Sequence, residues 1–252
     1  MTNPIVVSQR HLSLFEQCPR RYQAEILERR ELPIESNGRQ ALDRGQRFHH
    51  LLQQRALGLT VGGEDPQLDR WLDRLAQSAI ATDDPSKYHL AEHTRILALP
   101  PFELLVRYDA LLANASGADI IDWKTYARPR QAQKLTQNWQ TRLYRYVLAA
   151  TSDYPPDRIA MVYWFAESRE GEASNIVRLP YSAEGFDRDR HEIADLLERL
   201  ARCRAGAHFP RCRDLGREDP NCACLQLADE PETDAIALPD FDDIEEVAIE
   251  LG

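Results

Sequence analysis

Residues 118–125 read ADIIDWKT. Ile120, Ile121 and Trp123 predict a strand, yet Asp122 and Lys124 set opposite charges two residues apart within it. In a strand, residues i and i+2 share a face. Asp122 and Lys124 therefore point one way and Trp123 points the other, toward a core. Upstream, FELLVRYDALLAN (102–114) is strand-like, and NASG (Asn114–Gly117) between the two runs is a turn cluster. Counting outward equally from that turn brings Asp109 opposite Asp122. In a regular hairpin their Cβ atoms would lie about 4.5–5.5 Å apart. Two facing carboxylates repel unless one takes a proton or a cation sits between them. Oxygen pairs of this kind are hard ligands suited to Mg²⁺, and a lysine beside such an ion can hold a water and help move its proton. The alternative at this point is a salt bridge on a solvated sheet face.

The pattern around the hairpin predicts helices over 9–30, started after Ser8, over 39–57, and from Asp65–Pro66 through DPQLDRWLDRLAQSAI. Strands are expected over 87–99, 102–114 and 118–126. A helix over 130–150, strands over 158–167 and 175–181, and a helix from Ser182 to Gly206 follow. The order ααα–βββ–α–ββ–α predicts one α/β domain with a mixed sheet. The domain would span 1–228: N-terminal helices 8–80, a core over 87–206 and a cysteine-bearing segment over 203–228.

The formal charge of −10 sits at one end. From Asp229 onward there are ten acidic residues and no Lys or Arg, which leaves 31 acids against 31 bases over 1–228. The argument that an acidic protein avoids nucleic acid applies only to the segment 229–252, read as an acidic, flexible tail. No apolar run approaches the ~18–20 residues of a membrane span, and the N-terminal stretch lacks the features of a signal peptide. A soluble, cytoplasmic protein without a membrane partner is expected. The five cysteines, Cys18, Cys203, Cys212, Cys222 and Cys224, make a poor disulfide framework and point instead to buried thiols or a metal site.

Five short motifs stand in order: EQCPRRY (Cys18–Tyr22), GQRFH (Gly45–His49), VRYD ending at Asp109, IDWKT with Asp122 and Lys124, and QTRLY (Gln140–Tyr144). This series resembles the RecB-like branch of the PD-(D/E)XK nuclease superfamily, including AddB-type and CRISPR-adaptation nuclease domains. The resemblance implies a restriction-endonuclease-like mixed sheet flanked by helices, with an N-terminal helical segment. It implies a Mg²⁺- or Mn²⁺-dependent DNA nuclease acting in repair, recombination or foreign-DNA processing. Catalytic Asp109, Asp122 and Lys124 are implied, with metal ligands His49, Asp109, Asp122 and the Trp123 carbonyl. Gln140 and Tyr144, four apart on one helix face, would contact DNA or the lysine, and Glu92 is a further acid. Where the family pattern has Gly three residues before the first Asp, this chain has Val106. Some relatives close the domain with a [4Fe–4S] cluster, for which Cys18, Cys212, Cys222 and Cys224 are the candidates, with Cys203 as a replacement.

Arg20, Arg21, Arg29, Arg30, Arg44 and Arg47 lie on the first two helices. Arg128, Arg130, Lys134, Arg142 and Arg145 flank or share the QTRLY helix. Around a phosphodiester site, such residues would bind backbone phosphates without reading sequence. No helicase P-loop is present, so a motor or other repair partner would be a separate protein. The reading from another class is a non-catalytic DNA-binding or scaffold module that kept the fold.

Overall fold

The computed structural model describes residues 4–30, 36–62, 65–78, 80, 88–167, 175–217 and 222–226. The acidic segment 229–252 lies outside them. Strand β1 (Ile5–Val7) precedes helices α1 (Gln9–Gln17) and α2 (Pro19–Tyr22), the latter running into a π turn over Gln23–Leu27. Helices α3 (Ser36–Ala56) and α4 (Pro66–Ala76) follow. Then come strands β2 (Tyr88–Leu99), β3 (Phe102–Asn114) and β4 (Gly117–Ala127), helix α5 (Trp139–Ala150), strands β5 (Ile159–Glu167) and β6 (Ile176–Pro180), and helix α6 (Ala183–Ala205).

Three expectations are corrected. The continuous helix over 9–30 is broken at Cys18, whose backbone is extended (φ −157°, ψ 104°). Pro19 follows, and a residue before proline is pushed out of the helical region. The helix expected over 130–150 begins only at Trp139, after a 3₁₀ segment over Ala132–Gln137 and an extended Asn138. Strand β1 was not expected at all.

The sheet order is β1-β3-β4-β5-β6, with β2 also on β3. β2 pairs antiparallel with β3 along nearly its whole length, so β1 and β4 must share the other edge. β1 pairs parallel with Phe102–Leu104, and β4 pairs antiparallel with Ala110–Asn114. Residues 105–109 face no strand on that edge among the described residues. The sheet forks there, and Asp109 stands in the fork.

Helices cover both faces. The larger core lies under α1, α5 and α6, where Phe15, Leu143, Val147 and Ile193 meet Leu104, Tyr108, Ile120 and Met161. The smaller core lies under α3 and α4, where Phe48, Trp71 and Leu72 meet Ile121, Trp123 and Trp164. Phe48 stacks on Trp164 at 5.9 Å and meets Trp71 edge-on at 5.5 Å. β5 is buried from Ile159 to Ala166, as a strand covered on both faces must be. Gly45 brings α3 close to β4: a Cβ there would lie 3.3 Å from Thr125 Oγ1. His49, one turn further on, is thereby carried to the fork.

Candidate active site

Counting out from the Asn114–Gly117 turn predicts the register well. Every pair from Asn114↔Gly117 to Ala110↔Ile121 follows it, and pairing stops one step before Asp109 and Asp122. The acids are therefore neighbours across a fork instead of partners in a ladder. Asp109 uses the opening: its Oδ2 accepts the Trp123 backbone N–H at 2.8 Å, replacing a lost ladder bond with a charge-assisted one.

Asp122 and Lys124 lie toward α5, and Trp123 lies toward α3 and α4, as the i, i+2 rule requires. Lys124 Nζ is 2.6 Å from Asp122 Oδ2, donates to Gln140 Oε1 at 2.9 Å, and sits 5.5 Å from the centre of the Tyr163 ring. Gln140 Nε2 in turn donates to Asp122 Oδ1 at 2.5 Å. Gln140 thus fixes the lysine and the buried carboxylate together. Tyr144 does not line an open groove: it is 4% exposed, with its ring edge-on to Tyr108 at 5.3 Å. It forms the floor beneath the site. Val106 is buried in the larger core.

From the other side of the sheet, His49 Nε2 lies 3.1 Å from the Trp123 carbonyl oxygen, and Nδ1 lies 3.3 Å from Asp109 Oδ1. Burial alone would push the imidazole pKa down; the Asp109 contact outweighs it, and the net shift is upward. Glu92 completes this side. His49, Glu92 and Asp109 offer ligand atoms all within 4.8 Å of one another. Glu92 falls between the pairs Ala91↔Ala110 and His93↔Tyr108, opposite Asp109, and leaves the ladder with φ +48°. A non-glycine residue there is uncommon and marks a constrained position.

The charges are unbalanced. Burial, and then the negative charge of Asp109, push the Asp122 pKa up to about 7, against the pull of Lys124. Burial and Asp109 also raise Glu92. Carboxylates that resist ionising side by side, with an imidazole beside them, form a donor set that fits a divalent cation.

Several arginines expected on phosphate are structural instead. Arg20 is buried and pairs with Glu28 at 3.0 Å. Arg142 Nε donates to Asp189 Oδ1 at 2.7 Å, and Arg145 donates to the Pro180 carbonyl at 2.9 Å. Arg44, Arg130 and Lys134 remain exposed. Elsewhere, Cys18, Cys212, Cys222 and Cys224 are buried together with sulfurs within 4.8 Å of one another. Cys203 packs against the larger core instead. No helix among the described residues is long and apolar enough to cross a membrane.

A forked mixed sheet with carboxylates at the fork and a lysine two residues beyond the second is a restriction-endonuclease-like arrangement. The chain belongs to the PD-(D/E)XK nuclease superfamily, whose family model matches residues 6–223. Among solved structures, a candidate exonuclease from Eubacterium rectale aligns over 90% of both chains at 14% identity with a TM-score of 0.57. A second, SSO0001, aligns over 79% of this chain and 78% of its own at 11% identity with a TM-score of 0.38. No curated protein matches the sequence.

Proposed function

We propose that the protein is a Mg²⁺- or Mn²⁺-dependent DNA nuclease of the RecB-like kind, serving repair, recombination or foreign-DNA processing, with the fork as its active site. The observation that carries this is the junction at 109–124: two carboxylates released from the ladder, the second held by a lysine and a glutamine. Asp109, Asp122 and the Trp123 carbonyl would hold one or two ions, with His49 and Glu92 at the far side. A divalent ion here supplies positive charge against the phosphate and acidifies a water. Lys124 keeps its proton: burial would lower its pKa, but Asp122 raises it further. A charged Nζ can orient the attacking water and stabilise charge on the phosphate. Gln140 holds that Nζ in place and leaves it fewer positions to lose. Attack by that water on phosphorus would form one P–O bond and break the bond to the 3′ oxygen; the water's proton would pass to solvent, and the departing 3′ oxygen would take one from solvent. Arg44, Arg130 and Lys134 are among the exposed cations available to backbone phosphates.

The test is digestion of end-labelled single- and double-stranded DNA with Mg²⁺ or Mn²⁺, comparing the parent with Lys124→Ala. The parent should cleave, and the variant should be slower by about 10²–10⁴-fold while retaining the fold by circular dichroism. The same labels read whether ends or interior bonds are cut, a question raised by the name of the Eubacterium rectale relative. A parent that binds DNA and leaves it intact with either ion would make the protein a non-catalytic DNA-binding module.

A further inference from the structure

The four-cysteine group lies away from the fork, and its geometry is specific. Cys18 enters it from the break between α1 and α2, and Cys212, Cys222 and Cys224 come from the segment after α6. All four are buried, at 1, 2, 7 and 0% exposure, and with Ala24 they form a cluster of their own. All are free thiols, and Cys212 and Cys224 place their sulfurs 3.5 Å apart. The Arg20 backbone N–H donates to the Pro210 carbonyl at 3.1 Å, and the Arg211 side-chain Nη1 donates to the Cys224 carbonyl at 3.3 Å.

The sulfur spacing discriminates between ligands. A tetrahedral ion with metal–sulfur bonds of about 2.3 Å sets its four sulfurs about 3.8 Å apart. A [4Fe–4S] cube carries its thiolates on the outside, roughly 6 Å from one another. Here no two of the four sulfurs need be more than 4.8 Å apart. They stand closer than the cube requires and near the spacing of a single ion. Soft, anionic thiolates in a tetrahedral set select zinc among common divalent ions.

We propose that Cys18, Cys212, Cys222 and Cys224 hold one tetrahedral zinc ion that staples the N-terminal helices to the segment after α6. Four thiolates around a divalent ion leave a net charge of −2. Arg21 and Arg217 line a cavity of about 390 Å³ with Cys18, Cys212 and Cys222, which gives an ion a way in. The site does not depend on the nuclease reading, because none of its residues belongs to the fork.

The experiment is metal analysis of the whole chain, expressed in iron-replete medium without added zinc and purified without oxygen, so that an iron–sulfur cluster would survive. Zinc, iron and acid-labile sulfide are counted per chain. The expected result is one zinc, no sulfide and colourless protein. Replacing zinc with Co²⁺ should give the intense visible bands of a tetrahedral tetrathiolate. Cys18→Ser should lose those bands and melt lower, whereas Cys203→Ser should keep them. Iron with sulfide and a broad absorbance near ~400 nm would overturn the proposal in favour of a cluster. Folded parent protein holding no stoichiometric zinc, or a Co²⁺ spectrum indifferent to Cys18→Ser, would overturn it too.

Discussion

Asp122 is where burial, repulsion and function meet. Its carboxyl is 3% exposed and 2.6 Å from Lys124, yet its pKa rises to about 7 because burial and Asp109 outweigh the lysine. Below pH 7 the folded, metal-free protein keeps a proton on this group, and a cation must displace it. Apparent Mg²⁺ affinity should therefore rise with pH through about 7, with protons released on binding from Asp122 and, where it takes the ion, from His49, whose pKa is also raised. Calorimetric titrations at several pH values, in buffers of different ionisation enthalpy, measure both. A flat affinity between pH 5 and 8 would mean that Asp122 is already ionised. This residue was legible in the sequence, since a hairpin turn and a strand period locate Asp109, Asp122 and Lys124. Glu92 was equally reachable: counting out from the Pro100–Pro101 turn sets it opposite Asp109. It stands outside every motif, and its left-handed backbone has no local signal in the chain.

Among the elements, α5 carries the load. Its outer side anchors in α6 through Arg142, whose Nε reaches Asp189 while Nη2 reaches Glu192 at 2.5 Å. The Arg142 guanidinium also stacks 4.1 Å from the Trp139 ring. Asp189 is fully buried and accepts a second bond from the Tyr181 hydroxyl at 2.9 Å. Asp189→Ala takes the shared partner from a buried hydroxyl and from a cation that keeps Glu192, which should cost about 1–3 kcal/mol. Urea denaturation measures it; metal affinity at the fork should stay unchanged, because Gln140 and Lys124 are not in this network. The amphipathic pattern made α3, α4, α5 and α6 readable. It overran at Cys18–Pro19, where a backbone preference of one residue outweighs the continuing apolar period. It missed β1 because three residues, Ile-Val-Val, make a strand only through a partner nearly a hundred residues away.

The whole molecule adds what no single element has. The fork exists because β1 and β4 take different stretches of one edge of β3, a long-range arrangement that the sequence could imply only through its resemblance to a family. The family model and the forked sheet agree on the fold class. Charge also acts at this scale: residues 1–228 are neutral and 229–252 carry ten acids. Removing 229–252 should tighten DNA binding at low salt, with the gain fading as salt screens it. Fluorescence anisotropy with a labelled oligonucleotide, read over a salt series, checks this; equal salt slopes and affinities for the two proteins would show that those acids do not compete with DNA.

The fork at Asp109 and Asp122 is proposed as a metal-dependent active site. Crystals soaked in Mn²⁺ and measured at the manganese absorption edge test it most directly. An anomalous peak bounded by the Asp109 and Asp122 carboxylates and the Trp123 carbonyl is expected, lost in Asp122→Ala. Crystals of the parent at pH 8 with saturating Mn²⁺ and no anomalous density at the fork would contradict it.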